Sequence, residues 1–310
     1  FSGGVFDLFS TPATGVAGLG GDPLPGALGL LPGAMGEKRP WIRMDGISID
    51  VDEALLVDAP GGRIDVEGSR LSVSNAAGDG GTLTLTGELI RVGEGTELLA
   101  TGSGKGGLVQ VGGSWQNTDA SVRQASQTWM QAGSLVDASS TGNGAGGTVV
   151  IWSDLNNFDG GTVVEGSLLA RGGPLGGDGG RIETSGPYLM AMPQLLDVSS
   201  VEGKLGDWLL DPFNLTILPD SYTPTGTNFS NSGNNSLFTS IADNAGVRVG
   251  DLRSQLTNGA NVRLLTGQGS TTEGGNIIWQ QGADLDYSGT TTNLTLDASG
   301  YITLNSDITT

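Results

Sequence analysis

The 310-residue chain contains no cysteine and no histidine. Without cysteine there are no disulfides, thiolate metal sites or thiol nucleophiles, so the fold must hold without covalent staples. Without histidine the commonest general base and metal ligand is missing, and Ser-His-Asp and Cys-His catalysis go with it. Lysine is scarce, present only as Lys38, Lys105 and Lys204. With 14 basic residues against 33 acidic ones the formal charge is −19, opposite in sign to a nucleic-acid or anionic-membrane binder. Aromatic residues supply 5% of the chain, no apolar run approaches the ~18 residues of a membrane span, and no basic-then-apolar signal segment follows Phe1. Neither a nucleic-acid partner nor a membrane span is expected.

Glycine, by contrast, fills 55 positions, more than twice the usual share of about 7%. Apolar residues make up 36% and are spread along the chain, which suits a long thin core better than one large centre. Residues 1–40 hold five of the 12 prolines and no regular apolar period, and read as an irregular, extended Pro/Gly-rich arm. From Trp41 the texture changes to short alternating runs such as "ISIDVD", "GRIDVEG", "TLTLTG", "LVQVGG", "SVRQA", "TVVIWS" and "RIETS", the mark of half-buried strands.

The connectors repeat. "AAGDGGTLTLTG", "GSGKGGLVQVGG", "GNGAGGTVVIWS" and "LGGDGGRIETSG" each place a Gly-Gly pair before an alternating strand, the pairs ending at Gly81, Gly107, Gly147 and Gly180. Units of this length stack on their neighbours. Between them lies a second strand class, "GTELLATG", "GSLVDASS" and "GSLLARGG". A coil of two or three short strands per turn, with glycine where a corner requires positive φ, predicts an all-β parallel β-helix (solenoid). An antiparallel sandwich or propeller is the competing arrangement. In "TVVIW", Val149 and Ile151 are expected to face inward, with Val150 and Trp152 on the opposite face.

One segment breaks the pattern: Val249, Leu252 and Leu256 stand at helical spacing before Gly259, predicting a short helix over 250–257. The predicted organisation is an arm at 1–40, a parallel β-helix at 41–218, a loop and helix at 219–259, and further rungs at 260–310. The chain stops within a strand-like pattern at "SDITT", so it is expected to be a piece of a longer polypeptide. Coils of roughly 20 to 27 residues at ~4.8 Å per rung would make a rod on the order of 50 to 65 Å long.

The ordered succession "GGTVVIWSD", "GSLLARGGPLGGDGGRIETSG", "LLDVSS", "GKLGDWLLDPFNLTI", "SIADNAGVRVGDLRSQLTNGANVRLLTG", "GGNIIWQQGADL" and "LTLDASGYITLNSDI" resembles the passenger region of filamentous-haemagglutinin-like exoproteins exported by two-partner secretion. The resemblance covers about residues 76–310. It implies a right-handed coil, secretion to the cell surface through an outer-membrane two-partner-secretion transporter, and an adhesive role toward surface glycans or proteins of a host or neighbouring cell. The Asn-Pro motifs of that family's secretion domain are not recognisable in this chain.

Candidate chemistry is sparse. "TGSGKGG" has Lys105 at the end of a phosphate-loop-like run, but Leu99 stands where its first glycine is needed and Gly106 replaces Ser/Thr, so a corner turn is favoured. "LGGDGGR" at 175–181 is one copy of a calcium-type repeat that needs tandem copies. Asp154 and Asp159 suit backbone-capping turns. The string Asp45, Asp50, Asp52, Glu53 and Asp58 reads as a solvated face. Asp207 and Asp211, four apart in "GDWLLD", share a face at roughly 13 Å, too far apart to act on one glycosidic bond. Trp208 and Leu210 are expected in the core, and the six tryptophans are expected mostly to stack between rungs. No catalytic, metal or cofactor residue is assigned. Three functions stay open: an adhesive, non-enzymatic rod, a self-assembling filament joined end to end with the arm docking on the next subunit, and a β-helix carbohydrate-active enzyme.

Overall fold

The computed structural model describes residues 5–9, 27–32, 40–157, 159–222, 227–228, 237, 239–240, 245–267 and 274–310. These wind as an all-β parallel solenoid with three faces. One coil shows the plan. Thr82–Val92 runs along a first face and bends onto a second, Glu97–Leu99 forms the third, and Gly106-Gly107 returns the chain to the first face at Leu108–Val111. Alternation sends Leu83, Leu85, Ile90, Val92, Leu98 and Ala100 inward, all fully buried in one core, because a strand points successive side chains to opposite faces.

Nine strands stack on the first face, from Val5–Phe9 through Ala54–Glu67, Thr82–Val92, Leu108–Val111, Thr148–Trp152, Arg181–Ser185, Gly206–Asp211 and Ala260–Thr266 to Leu294–Ala298. At ~4.8 Å per step the stack is about 38 Å long. The second face stacks ten parallel strands among the described residues, from Pro40–Asp45 to Ile302–Leu304, about 43 Å at the same spacing, short of the 50 to 65 Å expected from coils of 20 to 27 residues. Residues in register on adjacent coils lie from 22 positions apart, as Trp41 and Arg63, to 62, as Leu215 and Ile277, because several coils carry loops that leave the stack and return.

The Gly-Gly pairs do stand at the corners, but positive φ is not the reason. Gly80, Gly81, Gly106, Gly107, Gly146, Gly147, Gly179 and Gly180 are absent from the positive-φ glycines. They sit where backbone meets backbone. A Cβ on Gly107 would fall well inside 3.0 Å of the Gly81 carbonyl oxygen; one on Gly147 would strike that of Gly107, and one on Gly180 that of Gly147. The same glycines close each coil. Gly107 N donates to Ala100 O, Gly147 N to Ala138 O and Gly180 N to Ala170 O, each at 2.7 Å, while Leu108 N donates to Gly81 O at 2.9 Å, joining one coil to the next. Asp79 and Asp178 add the same side-chain stitch, accepting Lys105 N and Lys204 N at 2.8 Å.

The predicted helix is Val249–Thr257, ending at Asn258 with Gly259 at φ +89°. Its Val249, Leu252 and Leu256 belong to the main core, so the helix replaces a third-face strand. Before it comes an arrangement the alternation did not reveal. Ala245–Arg248 inserts on the second face between Tyr188–Ala191 and the earlier Leu215–Leu218, so strand order there departs from chain order. In the N-terminal arm, Val5–Phe9 pairs in parallel with Ala54–Glu67, and Ala27–Pro32 pairs antiparallel with Pro40–Asp45; the arm's other residues up to 39 lie outside the described residues.

Gly147 and Gly267 offer a direct test of the corner contact. Gly147→Ala is expected to lower the unfolding free energy in urea by ~2–3 kcal/mol, because its Cβ meets only backbone that cannot swing aside. Gly267→Ala meets nothing within 4 Å and is expected to change stability by less than ~1 kcal/mol. Equal losses at the two sites would refute the close-approach explanation.

Candidate functional site

The outward side of the first face is not bare. After Leu108–Val111 the chain leaves the stack at Gly112, φ +80°, and residues 112–126 cross the face as a strap before Gln127–Met130. The run "SVRQA", expected as a strand, lies in this strap. Ala125 N donates to Gly112 O at 2.8 Å and closes its base. Arg123 reaches back to pair with Asp58, which also accepts Thr86 Oγ1 at 2.9 Å. Trp152 Nε1 donates to Gln124 Oε1 at 3.0 Å. At the far end a 3-10 turn, Trp115–Asn117, holds Gln116 and Asn117 at φ 46° and 50°, where side-chain-bearing residues are strained.

The strap explains an outcome that alternation alone leaves open. Val149 and Ile151 do join the interior, and Val150 and Trp152 face the other way, yet all four are buried. The tryptophans follow suit. Only Trp208 and Trp279 lie in the interior cluster, Trp208 donating its indole N–H to Thr184 Oγ1 at 3.1 Å. Trp152 is covered by the strap and Trp115 belongs to it. Trp41 lies outward, donating to Asp65 Oδ2 at 2.6 Å with Arg63 over its ring. Trp129 joins an outer cluster with Leu89, Val163, Met190 and Leu237. Stacking between rungs accounts for two tryptophans rather than most, because loops, not only rungs, bury apolar surface in this chain.

Beneath the tip of the strap lies Glu183, fully buried. Its carboxylate accepts Gln116 N at 2.8 Å and Ser185 Oγ at 3.0 Å, while the Arg181 guanidinium lies 4.2 Å over the Trp115 ring. Parallel register places Ser185 opposite Asp211 on the next coil. Burial pushes Glu183 up to about 7; the hydrogen bonds from Gln116 and Ser185 oppose the shift, the Asp211 charge adds to it and Arg181 opposes it. Asp211 is 8% exposed and accepts no hydrogen bond among the described residues. Burial raises it to about 6, against the pull of Arg263 and with the push of Asp297; those two form an ion pair at 2.7 Å.

The carboxyl neighbour of Asp211 therefore lies on another coil. Asp207 stands exposed at the opposite end of the strand, accepting Asn261 Nδ2 at 3.2 Å. Trp208 and Leu210 are buried in the core as expected. The other candidates make structural contacts: Asp154 accepts Asn156 N at 2.9 Å and Asn157 accepts Asp159 N at 3.3 Å, and Asp45, Asp50 and Asp58 pair with Arg43, Arg70 and Arg123 respectively. Lys105 lies in a corner turn. Among the described residues no group of three acidic side chains converges to hold a metal ion, and no helix is long and apolar enough to cross a membrane. Glu183 went unremarked in the sequence. Alternation in "RIETS" assigns it outward, but nothing local shows that a loop 67 residues away in the chain covers it.

Fold and site together define an all-β parallel solenoid with one carboxyl group, Glu183, buried beneath a loop and a second buried one, Asp211, on the next coil. No protein-family model matches the chain, and no curated protein matches it in sequence.

Asp211 makes stability pH-dependent with a definite sign. Its folded-state pKa lies above the ordinary 3.8, so the folded chain keeps a proton that the unfolded chain loses between about pH 4 and pH 6, and stability falls as pH rises through that window. Asp211→Asn is expected to raise the unfolding free energy at pH 8 by ~2 kcal/mol, with the gain vanishing near pH 3.5. Urea titrations at the two pH values check this; a gain equal at both would show that ionisation is not the cause.

Proposed function

We propose that the chain is a segment of an extracellular adhesive rod, the passenger of a filamentous-haemagglutinin-like exoprotein, wound as a right-handed parallel β-helix and exported through an outer-membrane two-partner-secretion transporter. The observation that carries this reading is the stack of parallel coils whose corners at Gly81, Gly107, Gly147 and Gly180 lie one on the next, a construction that extends in one dimension and needs no disulfide. In such a stack each unit is held by its neighbours, so a surface can be projected from a cell on a stiff support. Glu183 fits that reading as a structural feature, since it lies fully buried beneath the strap and accepts Gln116 N and Ser185 Oγ. The binding partners on this reading are glycans or proteins of a host or neighbouring cell.

Attachment assays test the adhesive role. Beads coated with the folded chain are expected to adhere to cultured cells or glycan arrays at least several-fold above beads coated with the urea-unfolded chain, and solution scattering is expected to report an elongated monomer. Equal attachment would count against adhesion, ordered polymers would favour the filament, and turnover of an acidic polysaccharide that Glu183→Gln abolishes would replace both with an enzyme.

A further inference from the structure

The coils are not joined equally along the rod. Between the coil of Thr148–Trp152 and that of Arg181–Ser185, five residues stand in register on the first face, four on the second and three on the third. One coil further, the first face keeps five, from Arg181 with Asp207 to Ser185 with Asp211. The second face keeps only two, Met190 with Gly246 and Ala191 with Val247. On the third face the ladder of strands ends at Leu195–Asp197, because the next position belongs to the helix Val249–Thr257, whose backbone groups bond within the helix and offer a strand no ladder. One contiguous segment, Ala245–Thr257, thus fills both weak positions of the same coil.

The anchors of that segment point one way. Ala245–Arg248 has four residues in register with Leu215–Leu218. Gly250 N and Arg253 Nη1 donate to Asp220 at 2.5 and 3.1 Å, Arg253 Nη2 donates to Asp284 O at 2.6 Å, and Leu256 O accepts Thr292 Oγ1 at 2.9 Å. Strand 215–218, Asp220, Asp284 and Thr292 all belong to the C-terminal side. Toward the preceding coil the described residues offer the two-residue pairing and the shared core. Gln255 adds a cost within the segment, being 5% exposed with its Oε1 unpartnered.

We propose that the boundary between Tyr188–Ala191 and Ala245–Arg248 is a seam built into the rod. At this seam Ala245–Thr257 and the C-terminal coils part from the preceding coils on the second and third faces, while the continuous ladder of the first face holds as the hinge. The device is independent of what the rod binds. It lies inside the stack, with further coils on either side, so it is distinct from fraying at an end. A sub-global opening of this kind takes place where the fewest backbone bonds must break, and here only two residues in register close the second face. Opening uncovers Ala191 and Leu196 on one side and Val247 and Leu252 on the other, all fully buried core residues in the closed rod.

Because the chain has no cysteine, a single introduced thiol reports opening by its rate of reaction with a soluble disulfide reagent in native buffer. Val247→Cys and Ala191→Cys flank the seam; Val164→Cys lies on the second face one coil earlier and Ile277→Cys on the same face nearer the C-terminal end. All four positions are fully buried. After correction for each variant's global stability, the seam thiols are expected to react at least about tenfold faster than the other two, a factor equivalent to roughly one net backbone hydrogen bond. Ala191→Cys reads the same opening where Val247→Cys fails to fold. In hydrogen exchange of the unaltered chain, peptides spanning 206–211, where Asp207 N donates to Gly180 O at 3.0 Å, are expected to keep the protection of those spanning 181–185. Reaction of Ile277→Cys as fast as the seam thiols would mean fraying from the C-terminal end and overturns the proposal. Reaction of all four thiols at one rate, or loss of protection at 206–211 relative to 181–185, overturns it too.

Discussion

The structure depends on one contact, the approach of backbone to backbone at the glycine corner. Each coil must turn from its third face to its first within the thickness of one strand layer. The chain does this by laying Gly107 against Gly81, Gly147 against Gly107 and Gly180 against Gly147, with no side chain between. The turning amide bonds inward to Ala100, Ala138 or Ala170, and the carbonyl accepts from the following coil. One residue thus satisfies its polar groups in two directions, which matters because a buried unpaired backbone group costs free energy comparable to a lost hydrogen bond. A larger residue would separate the coils locally and break both bonds.

From that spacing the rest follows. Coils held one strand layer apart bring Leu83, Val109, Val149, Ile182 and Trp208 into a single inward row, and aliphatic side chains fill it without a cysteine. Outward rows meet as polar pairs between coils: Asp58 with Thr86, Thr84 with Gln110, Thr148 with Arg181, and Arg263 with Asp297. Two departures modify this regular surface. The strap at 112–126 buries one outward patch, and Leu237 lies over another, its N–H bonded to Gln127 Oε1 at 2.6 Å. Excursions of the chain, rather than a second layer of secondary structure, hide the outward apolar residues.

Much of this architecture was legible. Alternation located most strands and assigned the inward pair Val149 and Ile151, and the apolar triad with Gly259 located the helix to within one residue at its start. The Gly-Gly register was legible as a position but not as a cause, since a glycine needed for close approach and one needed for positive φ look identical in sequence. The site was far less visible. Asp207 and Asp211 are neighbours along the chain, whereas the carboxylates that act on each other here, Asp211 on Glu183 and Asp297 on Asp211, come from different coils. Glu183 itself sat unremarked in "RIETS" because strand alternation gives a side chain's direction and not its cover.

The sequence by itself determined what is local or recurs: the parallel coil, the corners, the inward row, the apolar spacing of one short helix, and the exclusion of cysteine and histidine chemistry. These are local, compositional or periodic properties, and each coil reports the periodic ones again. Only the tertiary structure decided what occurs once. Ala245–Arg248 inserts between strands that precede it in the chain, Gln116 reaches Glu183, and Arg123 reaches Asp58, because such contacts depend on where a loop lands after leaving the stack. A loop's landing place is set by the summed packing of distant residues, and no period in the chain records it.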